Sequence, residues 1–68
     1  MSDVDAIKAE VKKLSTQAIQ AKMDLHDLSE ELPTDWQRIP EVAARCHDLH
    51  ARLADARQRL KTATEASA

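Results

Sequence analysis

The chain has 68 residues, no Gly, Phe or Tyr, and a single Cys, which excludes an internal disulfide, a glycine-rich phosphate loop and a second large domain. Its formal net charge of −2 argues against nucleic-acid binding, which requires a positive field. No apolar run is long enough for a signal peptide or a membrane span, so we expect a soluble cytoplasmic protein.

The first half of the chain predicts one long amphipathic helix over residues 3–32. Its apolar residues recur at alternating steps of three and four, which is the a/d pattern of coiled-coil-like packing. Pro33 follows, and because the residue before a proline is disfavoured in the helical conformation, this helix should stop near Leu32. The apolar stripe consists of Val4, Ile7, Val11, Leu14, Ala18, Ala21, Leu25, Leu28 and Leu32.

Residues 33–39 predict a loop, and they contain Trp36, the only aromatic residue of the chain. Two interpretations of this Trp are open. In the first, it closes the end of the seam next to the loop by packing against Leu32 and Ile39. In the second, it is an exposed anchor for a partner, since Trp is enriched among the hot spots of protein interfaces.

The second half predicts another helix over residues 40–63. Pro40 suits its first turn, where the missing N–H leaves no hydrogen bond unmade. The tail 64–68 is small and polar, and we expect it to fray. The alternation of three and four is again unbroken in the second apolar stripe, which consists of Ile39, Val42, Cys46, Leu49, Leu53, Ala56, Leu60 and Ala63.

Charges beside the two stripes predict how the helices pair. One side of the first stripe is mainly acidic and one side of the second carries an Arg every seven residues, so an antiparallel fold-back brings opposite charges together. The expected contacts across the seam are Glu31–Arg38, Asp24–Arg45, Gln17–Arg52 and Glu10–Arg59. The same register stacks the layers Leu28–Ile39, Leu25–Val42, Ala21–Cys46, Ala18–Leu49, Leu14–Leu53, Val11–Ala56, Ile7–Leu60 and Val4–Ala63. We therefore expect an all-α fold, a single antiparallel two-helix hairpin spanning residues 1–68.

A core this small rarely stabilises a chain on its own, so we expect a partner surface, either a second copy or a larger protein. The side of the seam opposite the Arg–acid contacts is expected to be small and less charged, and it holds every His. We call it the histidine flank, and it consists of Ser15, Ile19, Lys22, His26, Ser29, Ala43, His47, His50 and Ala54. The predicted partner-binding residues are Ile19, Met23, His26, Trp36, Ala43, His47, His50 and Ala54. The alternative is a scatter of exposed apolar residues, which is normal on soluble proteins.

Metal-binding and catalytic signals are weak. His47 and His50 are three residues apart on one helix and could reach the same ion, and His26 is a third candidate ligand. A structural zinc site usually needs four ligands, so we expect no metal and no cofactor. Cys46 occupies a position of the apolar stripe and is interpreted as a small core residue. No nucleophile–base–acid set stands out and a hairpin offers no pocket, so we expect no enzyme activity.

The segment around the loop resembles a known family. Its linked pieces are the run from Lys22 to Leu28, then Leu32-Pro33-Thr34, then Trp36, then Ile39-Pro40-Glu41-Val42. These pieces resemble the small Rop-like proteins encoded in nitrogen-fixation gene clusters of bacteria and cyanobacteria, and the likeness extends from about Asp5 to Leu60. The loop carries the resemblance, because heptads alone occur in any coiled coil.

The resemblance implies the same hairpin, able to pair into a four-helix bundle, and a cytoplasmic, non-catalytic, nitrogenase-associated accessory role. It implies a nitrogenase component as the client, above all the molybdenum–iron protein, or a protein that assembles its cofactor. Metal binding suspected in some relatives would fall here on His26, His47 or His50. Two alternatives remain: a homodimeric scaffold or weak metal carrier, and RNA binding like that of the Rop dimer. The last is the weaker, because the Arg residues are largely matched by acids.

Overall fold

A computed structural model describes residues 3–67 and consists of two long helices joined by a short connection. Helix α1 runs over Asp3–Glu31, a 3-10 turn covers Trp36–Arg38, and helix α2 runs over Ile39–Ser67. This part of the chain contains no strand. The two helices pack side by side in a rod 51 Å long and 15 by 13 Å across. The expected all-α two-helix hairpin is thereby confirmed.

The core is a single cluster in the middle of the seam. Its members are Leu14, Ala18, Ala21, Leu49, Leu53 and Ala56, with Val11 and Cys46 packed against them. These eight residues make up the four central layers that the sequence predicts, so the core agrees with the predicted register. Alanines at three of the buried positions leave room for the helix backbones to approach closely.

The seam is less well closed towards the loop. Leu28 is buried, but Leu32 and Ile39 leave 39% and 37% of their surfaces exposed. The predicted outer layer of Leu28 on Ile39 is therefore only half buried. The core ends before the hairpin does, and the loop end presents apolar surface to solvent.

The connection between the helices follows from the two prolines and one left-handed residue. Helix α1 ends at Glu31, immediately before the Leu32–Pro33 dipeptide, as the sequence predicts. The backbone then turns back through hydrogen bonds from the Thr34 N–H to the Glu31 carbonyl at 3.0 Å and from the Arg38 N–H to the Asp35 carbonyl at 2.9 Å. Helix α2 begins at Ile39, which places Pro40 in its first turn, where no N–H is needed.

Asp35 adopts the left-handed conformation, with φ of 58° and ψ of 27°. Asp tolerates this region better than most residues, whereas a β-branched side chain is a genuine outlier there. We expect Asp35→Val to lower the free energy of unfolding by about 1 kcal/mol. Urea denaturation followed by circular dichroism measures it. Asp35→Asn is the control and should leave the midpoint unchanged; an equal loss in both variants would contradict a backbone origin.

Helix α2 continues to Ser67, four residues past the end at residue 63 that the sequence predicts. The segment after residue 63 contains neither Pro nor Gly, so nothing in it forces the helix to stop. The Thr64 hydroxyl also donates a hydrogen bond to the Leu60 carbonyl one turn earlier. The predicted helix end is therefore corrected to Ser67, while fraying of this tail stays a prediction and residue 68 lies outside the described part of the chain.

Candidate partner-binding surface

The side of the hairpin that carries Arg38, Arg45, Arg52 and Arg59 with their acids is called the arginine flank. Arg59 crosses the seam to Glu10 through two hydrogen bonds, at 2.8 and 3.1 Å. Arg45 lies 4.0 Å from Asp24 on the opposite helix. Both contacts were expected from the sequence, and they fix the antiparallel register on this side of the seam.

The other two expected contacts across the seam are wrong. Arg38 pairs with Glu41 at 3.2 Å and Arg52 pairs with Asp48 at 3.1 Å, each within helix α2 or its first turn. An acid three or four residues away on the same helix lies within reach without any bridging of the seam. For Arg52 the partner across the seam is the neutral Gln17, which attracts a guanidinium less than a carboxylate does.

The Glu10–Arg59 pair is the strongest interaction of this flank. Arg59 also donates to Asp55 at 3.0 Å, so one guanidinium serves two carboxylates. Its hydrogen bonds to Glu10 hold the pKa of that carboxyl below the ordinary value. Those to Glu10 and Asp55 raise the pKa of Arg59. Because both side chains keep more than 40% of their surface exposed, the pair defines the register more than it stabilises the fold.

Glu10 gives this register a pH dependence. A carboxyl whose folded pKa is depressed contributes stability that is complete above its unfolded pKa of about 4.3 and is lost as the pH falls through the folded pKa. As the pH is lowered below about 4, we expect the unfolding temperature to decrease, and to decrease less in Glu10→Gln than in the unmodified chain. Thermal melts between neutral and acid pH measure it. Parallel curves for the two proteins would contradict the assignment.

The histidine flank is open to solvent. Ile19 and Met23, one helical turn apart on α1, leave 56% and 54% of their surfaces exposed. The flank's His26, His47, His50 and Ala54 are also exposed, whereas Ala43 is half-buried and offers only part of its surface. The structure thus brings these predicted contact residues onto the side of the hairpin that carries no cross-seam ion pair among residues 3–67.

Trp36 lies at the loop end and is 59% exposed. A side chain that plugged the seam would bury most of its ring, so the interpretation of Trp36 as a plug is wrong. Asp35, in the left-handed conformation, directly precedes the 3-10 turn that contains Trp36. Together with half-exposed Leu32 and Ile39, Trp36 gives the loop end an apolar surface of its own.

The three histidines do not assemble a metal site. Within residues 3–67, no group of three or more His, Cys, Asp or Glu side chains is placed to hold an ion. His26 instead lies 3.6 Å from the Asp27 carboxylate and 3.4 Å from that of Glu30 on its own helix.

Cys46 is half-buried against the core cluster and serves as a small apolar residue. No helix in this part of the chain is both long and apolar enough to cross a membrane.

A family model described as Rop-like matches residues 2–65 of the chain. The chain belongs to the Rop-like family. The match covers both helices and the loop, so the resemblance that the loop residues indicated is confirmed. An NMR structure from the Northeast Structural Genomics Consortium superposes on the Rop-like hairpin with a TM-score of 0.85 at 40% identity, covering 96% of this chain and 92% of the other.

Several curated relatives of the Rop-like chain are described as UPF0437 proteins. A UPF0437 protein of Azorhizobium caulinodans is 56% identical over 61 residues, covering 90% of this chain and 88% of that protein. A relative in Frankia alni is 40% identical over 52 residues, covering 76% of this chain and 63% of its own length. That relative is described as a "UPF0437 protein in nifX-nifW intergenic region". The chain is therefore a member of a small helical family, one of whose members is described by its position between nifX and nifW.

One property of the Rop-like surface was missed from the sequence. Towards the end of the hairpin opposite the loop, here called the open end, the histidine flank continues as a basic surface. Lys8 and Lys12 on α1 and Arg57 and Lys61 on α2 extend it, and all four are exposed. Relative to the apolar seam, they lie at the same positions as the members of the histidine flank, one or two helical turns further from the loop. The expectation of a weakly charged side therefore holds for its centre and is wrong for the whole side.

Proposed function

We propose that this Rop-like hairpin is a cytoplasmic, non-catalytic accessory protein of nitrogen fixation that docks on a nitrogenase component or on a protein that assembles its cofactor. The molybdenum–iron protein is the first client to test. The observation that carries the docking role is the exposure of Ile19 on the histidine flank, of Met23 beside it and of Trp36 at the loop end. The Frankia alni relative supports the nitrogen-fixation context through its described genomic region.

The exposed apolar side chains favour docking on the histidine flank over the arginine flank. Burying a large apolar side chain contributes roughly 1.5–3 kcal/mol, so Ile19 and Met23 together offer a sizeable contact energy. On the arginine flank, each of the four Arg side chains already pairs with an acid. A partner there would have to desolvate or break these pairs, which gains little.

The burial pattern supports a role without catalysis. Over residues 3–66 every buried side chain is apolar. Catalysis by a side chain needs an acid, base or nucleophile in a shaped, partly desolvated site. No acid, base or nucleophile is buried over the same residues, which supports a contact surface over a catalytic site.

An affinity-purification experiment tests the proposal. The tagged chain is expressed in nitrogen-fixing cells and, as the control, in the same cells grown on ammonium. We expect a nitrogenase component or cofactor-assembly protein to be recovered from the first culture, and the purified component to bind the purified hairpin directly. Recovery of neither class from nitrogen-fixing cells, with the tagged chain present and folded, would contradict the proposal.

A homodimeric four-helix bundle, acting as a scaffold or weak metal carrier, is the second candidate. It is favoured by the thin core, which leaves five large apolar side chains more than a third exposed over residues 3–66. Sedimentation equilibrium at micromolar concentration decides between the two. A species of twice the 7.6 kDa chain mass supports the bundle, and a species of the single-chain mass excludes it at that concentration.

A further inference from the structure

The ion pairs of the hairpin are distributed unevenly between its two sides. The chain has ten Lys and Arg residues, and the four on the arginine flank each pair with an acid. The other six make no ion pair within residues 3–67. They are Lys8, Lys12, Lys13, Lys22, Arg57 and Lys61.

Five of these six cations lie on the side of the hairpin that carries the histidine flank. The a/d seam fixes their positions, because residues one and four places after an a residue lie on the side opposite the arginine flank. Lys13 is the exception and faces towards the arginine flank. We call the five the basic set: Lys8, Lys12, Lys22, Arg57 and Lys61.

The net charge of this side is opposite to that of the whole chain. At the positions one and four places after an a residue, the chain carries the five cations of the basic set and one acid, Asp5. This side therefore has a net charge of +4 with its histidines neutral, whereas the whole chain carries −2. Lys22 lies one turn from Ile19 and adjacent to Met23, so one cation of the basic set borders the exposed apolar patch. The other four lie further from the loop, so the surface is an apolar patch with most of its positive charge on one side of it.

We propose that this side binds an acidic surface on a partner protein, with the apolar patch in the contact and the basic set beside it, mainly on the side of the patch away from the loop. The inference rests on the proposed function and names the chemistry of the surface that the hairpin recognises. Complementary charges at the rim of an interface accelerate association and fix its orientation, while the apolar centre supplies most of the affinity.

The same charges argue against the two other occupants. A second copy placed on this side would bring two surfaces of +4 together, which is repulsive. A nucleic acid would meet Ile19 and Met23 at the centre of the contact, and single-stranded binders place aromatic side chains there for base stacking. The only aromatic residue, Trp36, lies at the loop end, away from the four cations at the open end.

Lys12 and Lys13 provide a matched pair for the test. Both are exposed, neither makes an ion pair within residues 3–67, and adjacent positions on a helix point about 100° apart. We expect Lys12→Glu to weaken binding to the purified molybdenum–iron protein about tenfold and Lys13→Glu less than about twofold. Affinity for the unmodified chain should fall about tenfold between roughly 50 and 300 mM NaCl. Biolayer interferometry measures all three, after circular dichroism has shown that both variants are folded.

A second arm separates this inference from the proposed function. The ¹⁵N-labelled chain is titrated with poly-L-glutamate and with poly(U) RNA at equal concentrations of charge. We expect poly-L-glutamate to shift the amides of Lys8, Lys12, Arg57 and Lys61, and Lys12→Glu, but not Lys13→Glu, to reduce the shifts. If the molybdenum–iron protein does not bind but these shifts appear, the named client fails and the inference stands.

The remaining outcomes overturn the inference. Equal losses in the two lysine variants, or binding of the molybdenum–iron protein that is insensitive to salt, would leave the client in place but remove the basic set from the contact. Tighter binding of poly(U) than of poly-L-glutamate would identify a nucleic-acid surface. Absence of amide shifts with poly-L-glutamate, together with no binding of the molybdenum–iron protein, would refute both proposals.

Discussion

Replacing Ala56 by aspartate is expected to unfold the hairpin, whereas the same replacement at Ala54 should leave it folded. Ala56 is 0% exposed and lies in the core cluster. An Asp there would either bury an unpaired charge or force the helices apart, and both cost several kcal/mol. Domains of this size are rarely more stable than about 3–5 kcal/mol, so one such change is enough to unfold the chain.

The Ala54 variant is the control, because it places the same carboxylate two residues earlier on an exposed surface. It should cost only the difference in helix propensity, less than about 1 kcal/mol. Circular dichroism spectra and urea midpoints of the two variants measure the contrast. A cooperative transition of Ala56→Asp at the midpoint of Ala54→Asp would mean that the seam is not the core.

Features that depend on local or strictly periodic rules could be predicted from the sequence. Pro33 ends helix α1 whatever the rest of the fold does, because it acts on the conformation of its own neighbour. The two apolar stripes restrict the register to steps of one heptad, and the short connection between Glu31 and Ile39 selects the observed one. Both features require only that the two helices fold back on each other.

Features that depend on a competition between nearly equal contacts could not be predicted. Arg38, in the 3-10 turn, pairs with Glu41 on helix α2 and not with Glu31 across the seam, and the heptad pattern does not indicate which acid is preferred. The exposure of Trp36 depends on the backbone of the loop, above all on the left-handed Asp35, and no periodicity describes a loop. In both cases the deciding energies are about 1 kcal/mol or less.

The candidate surface was located from the sequence, but its chemistry was only partly described. Spacing alone places Ile19 and the histidines opposite the arginine flank. The basic character of that side also follows from spacing, but it was missed because only the central part of the flank was assigned. The structure adds that its cations make no ion pair within residues 3–67, so each contributes to the surface potential. The identity of the client is a property of two molecules, and one chain determines only the chemistry of its own half of the contact.

The double substitution of Ile19→Glu and Met23→Glu is expected to abolish client binding while the hairpin stays folded. Both side chains are more than half exposed, so their removal costs the free chain little. At the centre of an interface, each would contribute about 1.5 kcal/mol, and losing both raises Kd about 100-fold. The two new carboxylates also lie beside the acidic surface that we propose for the partner, which increases the loss. Binding to the purified molybdenum–iron protein measures the effect.

The matched control is Ala44→Glu with Gln58→Glu, which adds the same two negative charges at exposed positions on the outer face of helix α2. If only the net charge of the chain mattered, both double variants would weaken binding equally, because long-range attraction depends little on where a charge lies. If the histidine flank is the contact, the Ile19 and Met23 variant loses binding and the control keeps most of it. Equal affinities for the two variants and the unmodified chain would place the client on another surface, and the exposed loop end around Trp36 would then be the next to substitute.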